Sequence, residues 1–116
     1  MNNQKITKDR MVLHDTLSNI LINNGYQDSE QRIFYQPPES VKLRYPAIVY
    51  SRDVIQTRNA NDAPSYTVDT KYQLTYITKE PDDAIVYQIL EQVPFCRHVR
   101  HYVADNLHHD VFSIYN

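Results

Sequence analysis

The sequence predicts a single α+β domain: an antiparallel, mainly β sheet with one long hairpin, flanked by two helices in the order α-β-β-β-α-β-β. Three observations predict it. Residues 66–78, Tyr-Thr-Val-Asp-Thr-Lys-Tyr-Gln-Leu-Thr-Tyr-Ile-Thr, alternate an apolar, Tyr-rich face with a wetter one, the period of a strand. Two other stretches carry their apolar residues at helical spacing. Two helices are too few to cover both faces of a sheet, which points to an antiparallel α+β arrangement.

Residues 1–6 are expected to form a flexible tail, with Thr7 capping a helix that starts near Lys8 and holds Asp9 in its favoured first turn. Leu13, Leu17, Ile20 and Leu21 make its apolar stripe, and Asn23-Asn24-Gly25 is its stop. His14 lies beside the stripe and is expected at the boundary. Ile33-Phe34-Tyr35 is a short apolar run closed by Pro37-Pro38, so it predicts an edge strand or extended segment. Pro46 cannot donate to a ladder and belongs at a strand's first residues or on an edge, and the chain is expected to be strand-like over 47–55. Residues 56–65, Gln-Thr-Arg-Asn-Ala-Asn-Asp-Ala-Pro-Ser, are polar and turn-forming, and predict a long loop joining that strand to the one at 66–78.

Glu80-Pro81-Asp82-Asp83 predicts the start of the second helix, with proline in its first turn and carboxylates at the positive end of its dipole. Val86, Ile89, Leu90 and Val93 form its apolar face, with Ile85 at the margin, and Pro94 ends it. Cys96–Ala104 and Asp110–Tyr115 are expected as strands around a turn at 105–109.

Length and composition narrow the function. One domain of 116 residues can bury roughly two-thirds of its unfolded surface. Gly25 is the only glycine, so no Gly-rich phosphate loop is present. A formal charge of −2 lacks the basic footprint of a dedicated nucleic-acid binder. Cys96 is the only cysteine, which excludes an intramolecular disulfide and suits a reducing compartment. The sequence has neither a run of eighteen apolar residues nor a signal-peptide pattern, and predicts a soluble protein of a cytoplasm with no membrane association.

Few residues point to chemistry. Cys96, His98, His101, Asp105, His108, His109 and Asp110 are the densest cluster of reactive types. Cys96, His98 and His108 can be imagined around zinc, but no spacing matches a known motif, and on a regular strand His98 and His101 point to opposite faces. Cys96 with His109 and Asp110 gives a nucleophilic triad on paper, yet a cysteine after Val-Pro-Phe is usually core. Asp82 and Asp83 are explained by the helix dipole. No catalytic residue, metal site or cofactor is expected. Ten tyrosines remain, several of them on the predicted hairpin. Core or a protein interface accounts for them; the alternative is single-stranded nucleic acid stacking on Tyr72 and Tyr76.

Tyr45-Pro46-Ala47-Ile48-Val49-Tyr50, then Asn61-Asp62, Tyr66, Tyr72, Pro81-Asp82 and the ending from Arg100 to Phe112 resemble small tail terminator, or tail-completion, proteins of long-tailed bacteriophages. The resemblance covers roughly the last seventy residues of the chain. It implies a non-enzymatic virion protein that forms a ring, commonly a hexamer, at the head-proximal end of the tail. Such a ring caps the tail tube, stops its elongation and offers a surface to the head connector. The implied partners are further copies of the chain, the major tail tube protein and a connector or stopper protein. DNA would pass through the lumen without specific binding, and assembly would take place in the host cytoplasm. A different head–tail connector or neck protein is the alternative within this class. A small metal-dependent nuclease using His98, His108, His109 and Asp110 is the alternative outside it. Contacts are expected from Arg58, Asn59, Asn61, Asp62 and Tyr66 at the hairpin tip, and from Asp105, Asn106, His108 and His109 at the last turn.

Overall fold

A computed structural model describes the backbone of residues 2–59 and 66–115 and the side chains of 10–55 and 70–115. The chain order is α1 (Asn2–Asn23), a 3-10 turn (Ser29–Gln31), β1 (Ile33–Tyr35), β2 (Ala47–Asn59), β3 (Tyr66–Thr78), α2 (Ala84–Gln92), β4 (Cys96–Ala104) and β5 (Leu107–Tyr115). The strands form one five-stranded sheet in the order β1-β2-β3-β5-β4. Both helices lie on one face, so the fold is a two-layer α+β domain.

Helix α1 starts at Asn2, so residues 2–6 are helical backbone where a tail was expected, and Thr7 lies inside the helix instead of capping it. No Pro or Gly precedes Gly25, and each added residue closes one more hydrogen bond. Leu13, Leu17, Ile20 and Leu21 are buried, as the stripe predicts. The helix ends in a Schellman arrangement. Tyr26 N–H donates to Leu21 O (3.0 Å), Gly25 N–H donates to Ile22 O (3.0 Å), and Gly25 takes φ +96°.

The sheet is mixed rather than antiparallel throughout, because β1 pairs parallel to β2. A carboxylate buckle holds the segment that places β1. Arg32 Nε donates to Asp28 Oδ1 (2.8 Å), Arg44 Nη1 to Asp28 Oδ2 (2.7 Å), and Arg32 Nη1 also to Tyr45 O (2.7 Å). Beneath it Ser18 and Ser29 hydroxyls bond at 2.6 Å in the interior.

Strands β2 and β3 pair from Ala47↔Ile77 to Asn59↔Tyr66. Strand β2 therefore runs to Asn59, four residues past the expected end at Ile55, and residues 56–59 are ladder instead of loop. The backbone pairs Thr57↔Val68 and Arg58↔Thr67 include Thr and Val, residue types that favour strands. Strand β5 covers β3 only from Lys71 to Thr78. Among the described residues the pairs from Ile55↔Thr70 outward have no third strand, and the molecule is long for its size. Its extents are 51 × 30 × 26 Å and its radius of gyration is 15.5 Å, against about 13 Å for a compact chain of this length.

The core lies between the helices and the sheet: Leu17, Ile20 and Leu21 meet Ile48, Tyr50, Tyr72, Leu74, Tyr76, Phe112 and Ile114. Tyr35, Tyr50 and Tyr72 pack as an aromatic cluster with centroids 4.9–6.4 Å apart. Helix α2 begins later than predicted, at Ala84, with Pro81 and Asp82 in the turn before it. Asp83 caps it, accepting from Ile85 N–H at 3.0 Å. Ile85 and Ile89 are its buried centre, whereas Val86 and Leu90 are only partly covered. Strand β5 begins at Leu107, because a two-residue turn at Asp105 and Asn106 replaces the expected five. Both turn residues have positive φ (54° and 63°), the backbone of a type I′ hairpin, which Asp and Asn tolerate. Among the described residues no helix is long and apolar enough to cross a membrane.

Candidate functional site

A concave feature lies between α2 and the edge strand β4. It is an open cleft of ≈ 490 Å³ lined by Pro81, Asp82, Asp83, Val86, Tyr87, Leu90, His98, His101 and Asp110. Its apolar floor exists because Val86 and Leu90 sit one step round the helix from the buried Ile85 and Ile89.

A β-bulge builds its polar wall. His98 pairs with Phe112 and Arg100 with Val111, so Val99 is the extra residue. Past the bulge the facing of side chains is re-phased, and His101 returns to the face that His98 occupies. His98 Nε2 and His101 Nδ1 lie 2.9 and 3.1 Å from the same oxygen, Asp110 Oδ1. The reading of these two histidines on opposite faces therefore fails, because it assumed a regular strand. His108 Nδ1 lies 3.4 Å from His101 Nε2 and extends the chain of rings to the surface. Asp110 is buried, so the two histidines compensate a carboxylate that would be costly alone.

The other end of the cleft is anchored by Asp83. Tyr76 Oη donates to Asp83 Oδ2 (2.6 Å) and Thr78 Oγ1 donates to the same oxygen (3.1 Å), while the other oxygen caps α2. Burial, and then this bond to a carboxylate, push the Tyr76 hydroxyl far above the usual range for tyrosine. Burial alone pushes the Cys96 thiol up to about 11, so it is a protonated core group and a poor nucleophile.

His109, expected to act with His108, faces the other way. Its ring stacks on Tyr102 at 4.6 Å and 9° on the helix-free side of the sheet, and its Nδ1 lies 3.0 Å from Leu107 O. The set His98, His108, His109 and Asp110 is therefore not brought together. Among the described residues no three His, Cys, Asp or Glu side chains are arranged to hold a metal ion. Tyr72 and Tyr76 are 2% and 0% exposed, so no base can stack on them while the protein is folded. Asp105 and Asn106 form the β4–β5 turn. Arg58, Asn59 and Tyr66 lie in the outer pairs of the β2–β3 ladder, in the backbone pairs Arg58↔Thr67 and Asn59↔Tyr66. Asn61 and Asp62 lie outside the described residues.

Sequence reasoning named His98, His101 and Asp110 but missed their convergence. It also missed Asp83 as a hub. A Thr-x-x-x-x-Asp spacing before an apolar helix was the available signal for Asp83; the bulge at Val99 had none. Compared with known proteins, the chain matches no family model, and no curated protein matches it significantly.

Proposed function

We propose that this chain is a structural assembly protein that joins further copies of itself head to tail in a ring, a hexamer in the family it resembles. The ring caps a bacteriophage tail tube, ends its elongation and presents a surface to the head connector, while DNA passes through the lumen. No step of this reading is catalytic. Assembly takes place in the host cytoplasm, and the product stays at the head-proximal end of the tail in the virion.

The observation that carries this reading is the β2–β3 hairpin. Among the described residues its last five pairs, Ile55↔Thr70 to Asn59↔Tyr66, have no third strand beside them. A two-stranded ribbon is marginal in water by itself, and unpaired strand edges attract further strands. Such an arm gains most when a neighbour covers it. A head-to-tail ring needs two different surfaces on each subunit, and arm and sheet supply them. The same features serve a connector or stopper ring of the neck, which is the alternative within this class.

Light scattering over a range of concentrations, with and without purified tail tubes, tests the reading. The expected result is a closed oligomer, free or on the tube end. A monomer at every concentration that also leaves the tubes unbound sinks it.

A further inference from the structure

The helix-free face of the sheet is cationic at its outer edge. Paired residues of an antiparallel ladder share a face. Arg97↔Ser113, Arg100↔Val111 and Tyr102↔His109 therefore stand opposite the helices. Arg97 and Arg100 are both exposed, and among the described residues neither forms an ion pair. Arg32, Arg44 and Lys71, by contrast, each have a carboxylate partner. Arg100 also lies 5.5 Å from the Tyr102 ring centroid.

The other face of the same edge has the opposite charge. Asp82 stands exposed at the cleft and Glu80 is exposed two residues before it, and neither is in an ion pair among the described residues. Asp83 is already occupied by its three donors. Lys79 is the segment's own cation.

We propose that Arg97 and Arg100 of one copy dock on the shoulder of the α2–β4 cleft of the next copy, against Glu80 and Asp82. This rests on the ring reading and names its contact. A second copy is the occupant for three reasons. The two surfaces are complementary in charge. A two-fold pairing of sheet on sheet would set these arginines against arginines. And because the surfaces lie on opposite faces of one edge, the contact cannot close within a pair and passes from subunit to subunit. Nucleic acid fits less well: two cations neutralise few phosphates, and one face of the Tyr102 ring is already covered by His109.

Sedimentation velocity of the full chain tests this. Arg97→Glu/Arg100→Glu should weaken self-association about tenfold or more, and Arg97→Gln/Arg100→Gln less so. Mixing the first variant with Glu80→Lys/Asp82→Lys should restore mixed assemblies that neither forms alone. All these side chains are exposed, and circular dichroism should show unchanged folds. If the wild type assembles and the arginine variants assemble equally well, the contact lies elsewhere and only this inference is overturned. If the wild type neither assembles nor binds tubes, the ring reading falls first and takes this contact with it. If the arginine variants instead lose binding to a single-stranded oligonucleotide while assembling normally, the face is a nucleic-acid surface and the inference is wrong.

Discussion

Single carboxylates anchor this fold at three places, and each anchor is specific to its neighbours. Asp83 gathers a buried tyrosine hydroxyl, a threonine and a helix amide. Asp110 gathers two histidines. Asp28 gathers Arg32 and Arg44, whose hydrogen bonds hold its carboxyl down to about 2 from 3.8. That depression carries a sign. Stability linked to Asp28 is fully present above pH about 4 and is lost as pH falls through about 2, because the unfolded chain takes up its proton first. Asp28→Asn should therefore lose stability at pH 7 and show a flatter acid limb. Urea unfolding between pH 2 and 7 reads this directly, and an unchanged acid limb would exclude the buckle as its source.

The informative element is β4. One extra residue lets His98 and His101 reach the same oxygen although three positions separate them. Deleting Val99 should regularise the ladder while leaving both histidines on the face of Asp110, at a cost within about 1 kcal/mol. Deleting Tyr102 should instead turn His101 to the helix-free face and cost roughly 1.5–3 kcal/mol, the worth of a hydrogen bond to a charged group. Equal losses for the two deletions, measured by urea unfolding, would contradict this account of the bulge. Helix α2 has no such irregularity: its cap and its buried Ile85 and Ile89 define both its start and its roll.

At the scale of the whole molecule, the long axis of 51 Å reflects a hairpin longer than the sheet that supports it. Thr70 and Tyr72 are buried, and among the described residues the pairs from Ile55↔Thr70 outward have no third strand beside them. Replacing residues 56–69 by a two-residue Asn-Gly turn, which joins the paired Ile55 and Thr70 directly, should leave the thermal midpoint within a few degrees of the wild type. The same change should abolish oligomer formation or tube capping in the light-scattering assay. Survival of both would move the working surface away from the arm.

The sequence by itself determined what depends on local period and local chemistry. The Leu13–Leu21 stripe, the alternation at 66–78 and the glycine stop at Gly25 each dictate their element, because one face must leave water and one turn must adopt φ > 0. The burial of Tyr50, Tyr72 and Tyr76 was legible as one of two outcomes, core or interface. Only the tertiary structure decided the rest. The parallel pairing of β1 depends on a buckle between residues 28, 32 and 44, which no short window contains. The histidine–aspartate wall depends on a bulge, and a single inserted residue reverses every facing beyond it. The length of the β2–β3 ladder, from Ala47↔Ile77 to Asn59↔Tyr66, depends on pairing between two separate segments. These are differences in register and length, set by contacts between distant segments.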